Sequence, residues 1–494
     1  MKKLFLIPAA AFFLSAAIYV AGDPVSAPAN WFNLSQADNG IRGVGTEKTY
    51  SELLKGKTPD TIIVAVIDGG VDYMHEDLKN VMWHNPGEIP DNKIDDDKNG
   101  YIDDVYGWNF IGGANGENVS HDNLEMTRQY KRLKKKFKNK TREDLPASDT
   151  AEYNQYLIVQ KDYTAEYDGA KQAFDNINAF RRMNNLLKDE IKENSGKDTV
   201  MYADLMAHKP SSKLAGYYGI LTVPDKKTKT AIVNNQDDWV SLNAELEQGY
   251  EAYNSRLEYH LNPDFDSRAI VGDDYENAEE KFYGNNDIKG PDAIHGTHVA
   301  GIIGAQRGNN IGMDGVSNAV LIMGVRVVPD GDERDKDVAN GIIYAVDNGA
   351  KIINMSFGKS YGYNKGVVDK AVKYAESKGV LLIHAAGNDG KNNDKSNNFP
   401  NPRFLSGGVA NNWIEIGALS WRSGANSLAP FSNYGIKNVD VFSPGVDINS
   451  CKSNGGYIDL SGTSMAAPVC AGVCAVLKSY FPKLTPVEIK NIIE

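Results

Sequence analysis

Three segments far apart in the chain carry side chains that together could move a proton and make a covalent bond. Ser461-Gly462-Thr463-Ser464-Met465-Ala466-Ala467-Pro468 leads into the small residues Ala471, Gly472 and Ala475. Glycine and small residues let a tight turn feed a helix whose N-terminal N–H groups favour negative charge on a nearby oxygen. In isolation the same turn reads as an ordinary Ser/Thr helix cap. His295-Gly296-Thr297-His298-Val299-Ala300-Gly301 sets an imidazole at a glycine-bearing turn entering an apolar helix, and Val66-Ile67-Asp68-Gly69-Gly70-Val71 sets a carboxylate at a strand end. A serine hydroxyl is a poor nucleophile at neutral pH until a base takes its proton. The resulting imidazolium then needs a carboxylate to orient and stabilise it.

In the chain order Asp, His, Ser, these segments resemble the signatures of the subtilisin-like serine proteases. The resemblance covers residues 61–106 and the chain from residue 292 onward. It implies Asp68 as the orienting carboxylate, His295 as general base and then acid, and Ser464 as the nucleophile of an acyl-enzyme. Of the two histidines the family pattern selects the first, which leaves His298 a structural residue on the following helix. His384-Ala385-Ala386-Gly387-Asn388-Asp389-Gly390 is similar to the family's stretch ending in the oxyanion-hole asparagine, implying Asn388 as one donor and the Ser464 N–H as the other. Asn354-Met355-Ser356-Phe357-Gly358 resembles the edge that pairs with extended substrate. With Ala385 and Gly387 opposite, the resemblance implies a primary pocket lined by Ser356, Phe357 and Gly358, and broad endopeptidase action on polypeptides with a leaning to apolar side chains. One departure stands out: Gly69 follows the aspartate where the family usually has Ser or Thr, so a supporting hydroxyl is missing.

The elements that must hold these groups read as α/β. Residues 61–67 are β-branched and apolar, and further apolar runs at 320–327, 351–355 and 380–386 alternate with amphipathic helical stretches at 338–348 and 367–378. Such alternation predicts a three-layer sandwich around a mainly parallel sheet, with Asp68, Ser356 and Asn388 just past strand ends, where crevices form. Between residues 122 and 290 the texture turns to Lys, Glu, Asp, Asn and Tyr with helical spacing, as in Tyr153, Leu157, Tyr163, Tyr167, Ala170, Phe174, Ile177 and Phe180. This predicts a helical insertion splitting a peptidase-like domain into 61–121 and 291–494, after a lead-in at 23–60. That lead-in is short for the folded inhibitory propeptide that many members of the resembled family carry.

Met1-Lys2-Lys3 and the apolar run from Leu4 to Ala21 have the layout of a signal peptide over residues 1–22. The expectation is export to the periplasm or the exterior with no stable membrane insertion, the alternative being an uncleaved anchor. The net charge of −12 argues against nucleic-acid partners, and the basic run Lys131, Arg132, Lys134, Lys135, Lys136 and Lys138 reads as a solvated helix face amid acidic residues. Cys451, Cys470 and Cys474 are too few for a disulfide framework and read as buried small hydrophobes. Asp95-Asp96-Asp97-Lys98-Asn99-Gly100-Tyr101-Ile102-Asp103-Asp104 begins like an EF-hand loop. Structural calcium would take side-chain oxygens from Asp95, Asp97, Asn99 and Asp103 and the carbonyl of Tyr101, although Tyr106 stands where the loop's last Glu belongs. No cofactor is expected in catalysis. The competing reading is an inactive binding or maturation factor that keeps the fold.

Overall fold

The computed structural model describes residues 26–225 and 228–494, so the expected signal peptide lies outside the described residues. They form two compact units, one comprising Thr127–Phe265 and the other the flanking residues up to Met126 together with Asp266–Glu494.

The larger unit is built on a seven-stranded, wholly parallel sheet. Its strands are β1 (Ile62–Asp68), β2 (Gly107–Asn109), β3 (Val320–Arg326), β4 (Ile352–Met355), β5 (Leu381–Ala385), β6 (Trp413–Leu419) and β7 (Val441–Pro444). The spatial order is β2-β3-β1-β4-β5-β6-β7, which leaves β1 between β3 and β4, where the winding direction reverses. Such a switch point opens a crevice at the strand carboxyl ends, and Asp68 is the last residue of β1.

Side-chain alternation along β1 explains the layers. Ile62, Val64 and Val66 join a core with Val299, Ile302 and Ile303 of the helix Ile294–Gly304 and with Ala466, Val469 and Cys470 of the helix Thr463–Tyr480. Ala65 and Ile67 face the other way, against Val338 and Ile342 of the helix Asp335–Asp347 and Val368 and Val372 of the helix Lys365–Ser377. The chain is therefore an α/β three-layer sandwich, with both helices that carry His295 and Ser464 on one face. All three cysteines are buried and unpaired. A hairpin of two short antiparallel strands, Ile448–Cys451 and Tyr457–Leu460, stands apart from the main sheet.

The smaller unit is helical, dominated by the 46-residue helix Thr150–Ser195 and the helix Gln236–Ser255. Leu187, Ile191, Leu205, Leu221 and Trp239 form its core, with Trp239 Nε1 donating to the Val200 carbonyl at 2.9 Å. The expected apolar stripe needs correction. Leu157 and Tyr167 are exposed, while Tyr156 and Val159 join Tyr153, Tyr163 and Ala170 on the buried face. The face follows steps of three and four from Tyr153, and Tyr130 stacks on Tyr163 at a centroid distance of 4.1 Å. The basic run is partly paired: Arg132 and Lys136 reach Glu152 at 2.7 and 2.6 Å.

Candidate functional site

Of the four groups expected to do chemistry, Asp68 and Asn388 sit at or just past strand ends, and His295 and Ser464 sit at helix starts. Ile67 pairs with Met355 and Met355 with His384, so Asp68, Ser356 and Ala385 follow one another across β1, β4 and β5. The Asp68 carboxylate is buried, and its Oδ1 accepts the Gly69 backbone N–H at 2.7 Å. Main chain thus supports the carboxylate where a hydroxyl was missing from the sequence.

His295, near the start of its helix, sets Nδ1 2.8 Å from Asp68 Oδ1 and 3.0 Å from Oδ2. A carboxylate only accepts, so Nδ1 carries the proton and the neutral ring keeps its lone pair on Nε2, the tautomer a base requires. Although 43% of the side chain is exposed, enough protein surrounds the ring for burial to act against its charge. The Asp68 carboxylate outweighs that penalty through charge and hydrogen bond, with help from Asp292, and holds the His295 pKa above the ordinary histidine range. His298 behaves differently. Its Nε2 lies 2.9 and 3.0 Å from the carbonyls of Ile448 and Ile458, and burial pushes its pKa down to about 4. It is a neutral donor tying its helix to the hairpin.

Ser464 is the second residue of the helix Thr463–Tyr480. Four residues on, Pro468 lacks the N–H that would take the Ser464 carbonyl into the helical ladder. Ser356 Oγ donates to that orphaned carbonyl at 2.8 Å, and the Ser464 hydroxyl donates back to the Ser356 carbonyl at 3.0 Å. Asn354 Nδ2 completes the chain with a 2.9 Å bond to Ser356 Oγ. Among the described residues no hydrogen bond joins Ser464 Oγ to His295; the hydroxyl is turned to Ser356.

Asn388 is held from the same helix start. Its Oδ1 accepts the Thr463 N–H at 2.9 Å and the Thr463 hydroxyl at 3.0 Å, and Thr463 Oγ1 in turn accepts the Gly387 N–H at 3.1 Å. The backbone N–H can only donate, so Oδ1 must face it and Nδ2 must face away. A Cβ placed on Gly462 would lie 3.5 Å from Asn388 Nδ2 and 3.6 Å from the Ser464 nitrogen. The two donors therefore border one small space beside the serine.

The subtilase family model matches residues 60–494. The chain belongs to the subtilase family. This subtilase is 37% identical over 236 residues to a thermophilic serine proteinase of Bacillus sp. (strain AK1), a match covering 48% of this chain and 53% of the relative. It is 40% identical to thermitase of Thermoactinomyces vulgaris over 37% of this chain and 61% of that one. The chain thus spans little more than half the length of the first curated relatives it matches. A cold-adapted subtilisin-like serine proteinase of known structure shares 35% identity across 42% of this chain and 69% of its own, with a TM-score of 0.34.

The acidic loop of the subtilase is arranged differently from its sequence expectation. Oxygens of Asp95 and Asp97 come within 4.8 Å of one another and of Glu88, an upstream residue that the motif does not include. Asp103 is not among them: its carboxylate accepts the N–H groups of Asn92 and Lys93, at 3.3 and 2.7 Å, while its own N–H donates to Glu88 Oε2 at 3.2 Å. Asn99 lies beside the group, donating from its side chain to Asp97 and Asp104. The Tyr101 ring is buried against Trp108 and Tyr344. Burial raises the Asp104 pKa to about 6 despite bonds from Tyr344, Asn85 and Asn99. Sequence reasoning missed Glu88 and Thr463. The second had a readable signal, a hydroxyl directly beside Ser464 at a helix start.

Proposed function

We propose that this subtilase is an exported serine endopeptidase. The observation that carries the reading is the His295 ring locked by Nδ1 onto Asp68, with its basic nitrogen free and Ser464 at a helix start nearby. Rotation of the Ser464 hydroxyl off the Ser356 carbonyl brings its proton to His295 Nε2 as the oxygen attacks a peptide carbonyl. The tetrahedral oxyanion is taken by Asn388 Nδ2 and the Ser464 N–H, and His295 returns the proton to the leaving amine. Water then releases the acyl group by the same steps in reverse. Ser356, Phe357 and Gly358 form one wall of the primary pocket, with Ala385 and Gly387 forming the other.

Export rests on the layout of residues 1–22. No helix among the described residues is long and apolar enough to cross a membrane. The test of catalysis is a fluorophosphonate probe that acylates activated serines. We expect stoichiometric labelling on the peptide containing Ser464, lost in His295→Ala; labelling that ignores both residues contradicts the reading, and absence of labelling favours an inactive binding factor.

Structural calcium is part of the same proposal. The convergent donors Glu88, Asp95 and Asp97 are all hard carboxylate oxygens, which suits a calcium ion, with Asn99 adjacent. Bound there, calcium would neutralise clustered negative charge and brace the loop. It would take no part in the proton transfers.

A further inference from the structure

We propose that the primary pocket selects a side chain ending in a hydrogen-bond donor, lysine or arginine, because its far end is an oriented amide oxygen backed by a buried carboxylate. This rests on the reading above of residues 356–358 and 385–387 as the substrate walls.

The amide belongs to Asn398. Its Nδ2 donates to the Ala385 carbonyl at 3.0 Å and to Glu415 Oε1 at 3.3 Å. On the opposite wall, a Cβ at Gly358 would stand only 2.5 Å from Asn398 Oδ1. Asn398 therefore bridges the two walls. Both of its N–H groups point at acceptors, so a flipped amide would set oxygen against a carbonyl and a carboxylate. The orientation is fixed, and Oδ1 is the atom left on the Gly358 side. Among the described residues no donor reaches it.

Glu415 sets the sign of the field behind that oxygen. It is 4% exposed, sits mid-strand in β6, and lines the same cavity as Asn398. Trp413 Nε1 and His384 Nδ1 each approach its Oε2 at 2.9 Å and hold the carboxylate in place. Arg403, on the rim of that cavity, bonds Asn438 at 3.0 Å and makes no ion pair among the described residues. A cationic head at the pocket end finds a fixed acceptor with negative charge behind it. An aromatic ring meets a polar stop and leaves that acceptor bare, and a carboxylate is repelled.

The test is a series of peptides differing only at the residue before the scissile bond. Hydrogen bonds to a charged group predict kcat/KM for Arg and Lys ~10-fold or more above Phe and Leu, with Glu lowest. Asn398→Gly should invert the Arg/Phe ratio. A wild-type preference for Phe or Leu, or equal rates throughout the series, overturns the pocket proposal while leaving the hydrolase reading intact. A second measurement does not depend on turnover: calorimetric binding of benzamidine to Ser464→Ala. We expect binding ~10-fold weaker or worse when Asn398→Gly is added. Unchanged benzamidine affinity overturns the pocket proposal even in a chain that cleaves nothing.

Discussion

Replacing Thr463 with valine keeps volume and branching but deletes one oxygen at the point where the helix start grips Asn388. That oxygen donates to Asn388 Oδ1 at 3.0 Å and accepts the Gly387 N–H at 3.1 Å. Among the described residues, the Thr463 backbone N–H, at 2.9 Å, then remains as the only hold on the amide. Each lost bond is worth ~0.5–1.5 kcal/mol net, and part of that loss is felt only when the oxyanion forms. The expected fall in kcat is therefore ~3- to 10-fold, since 1.36 kcal/mol is a factor of ten. The ceiling is full loss of the donor, as in Asn388→Ala, at ~100- to 1,000-fold. Steady-state kinetics on a fixed peptide should place the loss in kcat with KM nearly constant, because the amide is needed in the transition state rather than for substrate binding. Unchanged kcat in Thr463→Val alongside a collapse in Asn388→Ala would refute the claim that Thr463 positions the amide, as would a loss confined to KM.

Other expectations follow from the same geometry. His295 must be neutral to accept a proton, and Asp68 raises its pKa, so kcat/KM should rise with pH through a midpoint above the ordinary histidine value. Asp68→Asn should move that midpoint down and cut kcat ~10,000-fold, read from pH–rate profiles of both forms. In Gly296→Ala the new Cβ would stand 2.2 Å from the Gly70 carbonyl and 3.1 Å from Asp68 Oδ1. Displacing the carboxylate should cost ~100-fold in kcat, and the clash with the Gly70 backbone should lower the melting temperature as well. For the acidic loop, calcium at about 100 times its Kd should stabilise the fold by ~2.7 kcal/mol. Differential scanning calorimetry with and without chelator should show this in the wild type and lose it in Glu88→Gln, whereas a calcium shift retained there removes Glu88 from the ligand set.

Much of the fold was legible because four of its strands are continuous apolar runs, the mark of strands covered on both faces. The helices Asp335–Asp347 and Lys365–Ser377 begin two or three residues before their apolar periodicity does. In the first of them Asp335 and Asp337 occupy the first turn, where negative charge suits the helix dipole. β2 is too short for any period to register, and β6 hides a buried glutamate in its centre. At the site, residue type and chain order were enough to nominate Asp68, His295, Ser464 and Asn388. The partners in the grip of Thr463 on Asn388 and in the Ser356–Ser464 exchange come from distant segments, and the approach of Glu88 depends on how its own loop folds back, so these pairings are visible only after folding. Pro468 is the exception. Its missing N–H could have been read from the sequence as a carbonyl at Ser464 in need of another donor.

Hydrolysis through Ser464 is tested most directly by comparing the purified chain with its Ser464→Ala form on an unfolded protein substrate, at matched concentration and with both forms shown folded by melting. Cleavage is expected from the first and none above background from the second. Equal cleavage by the two forms would contradict that role of Ser464.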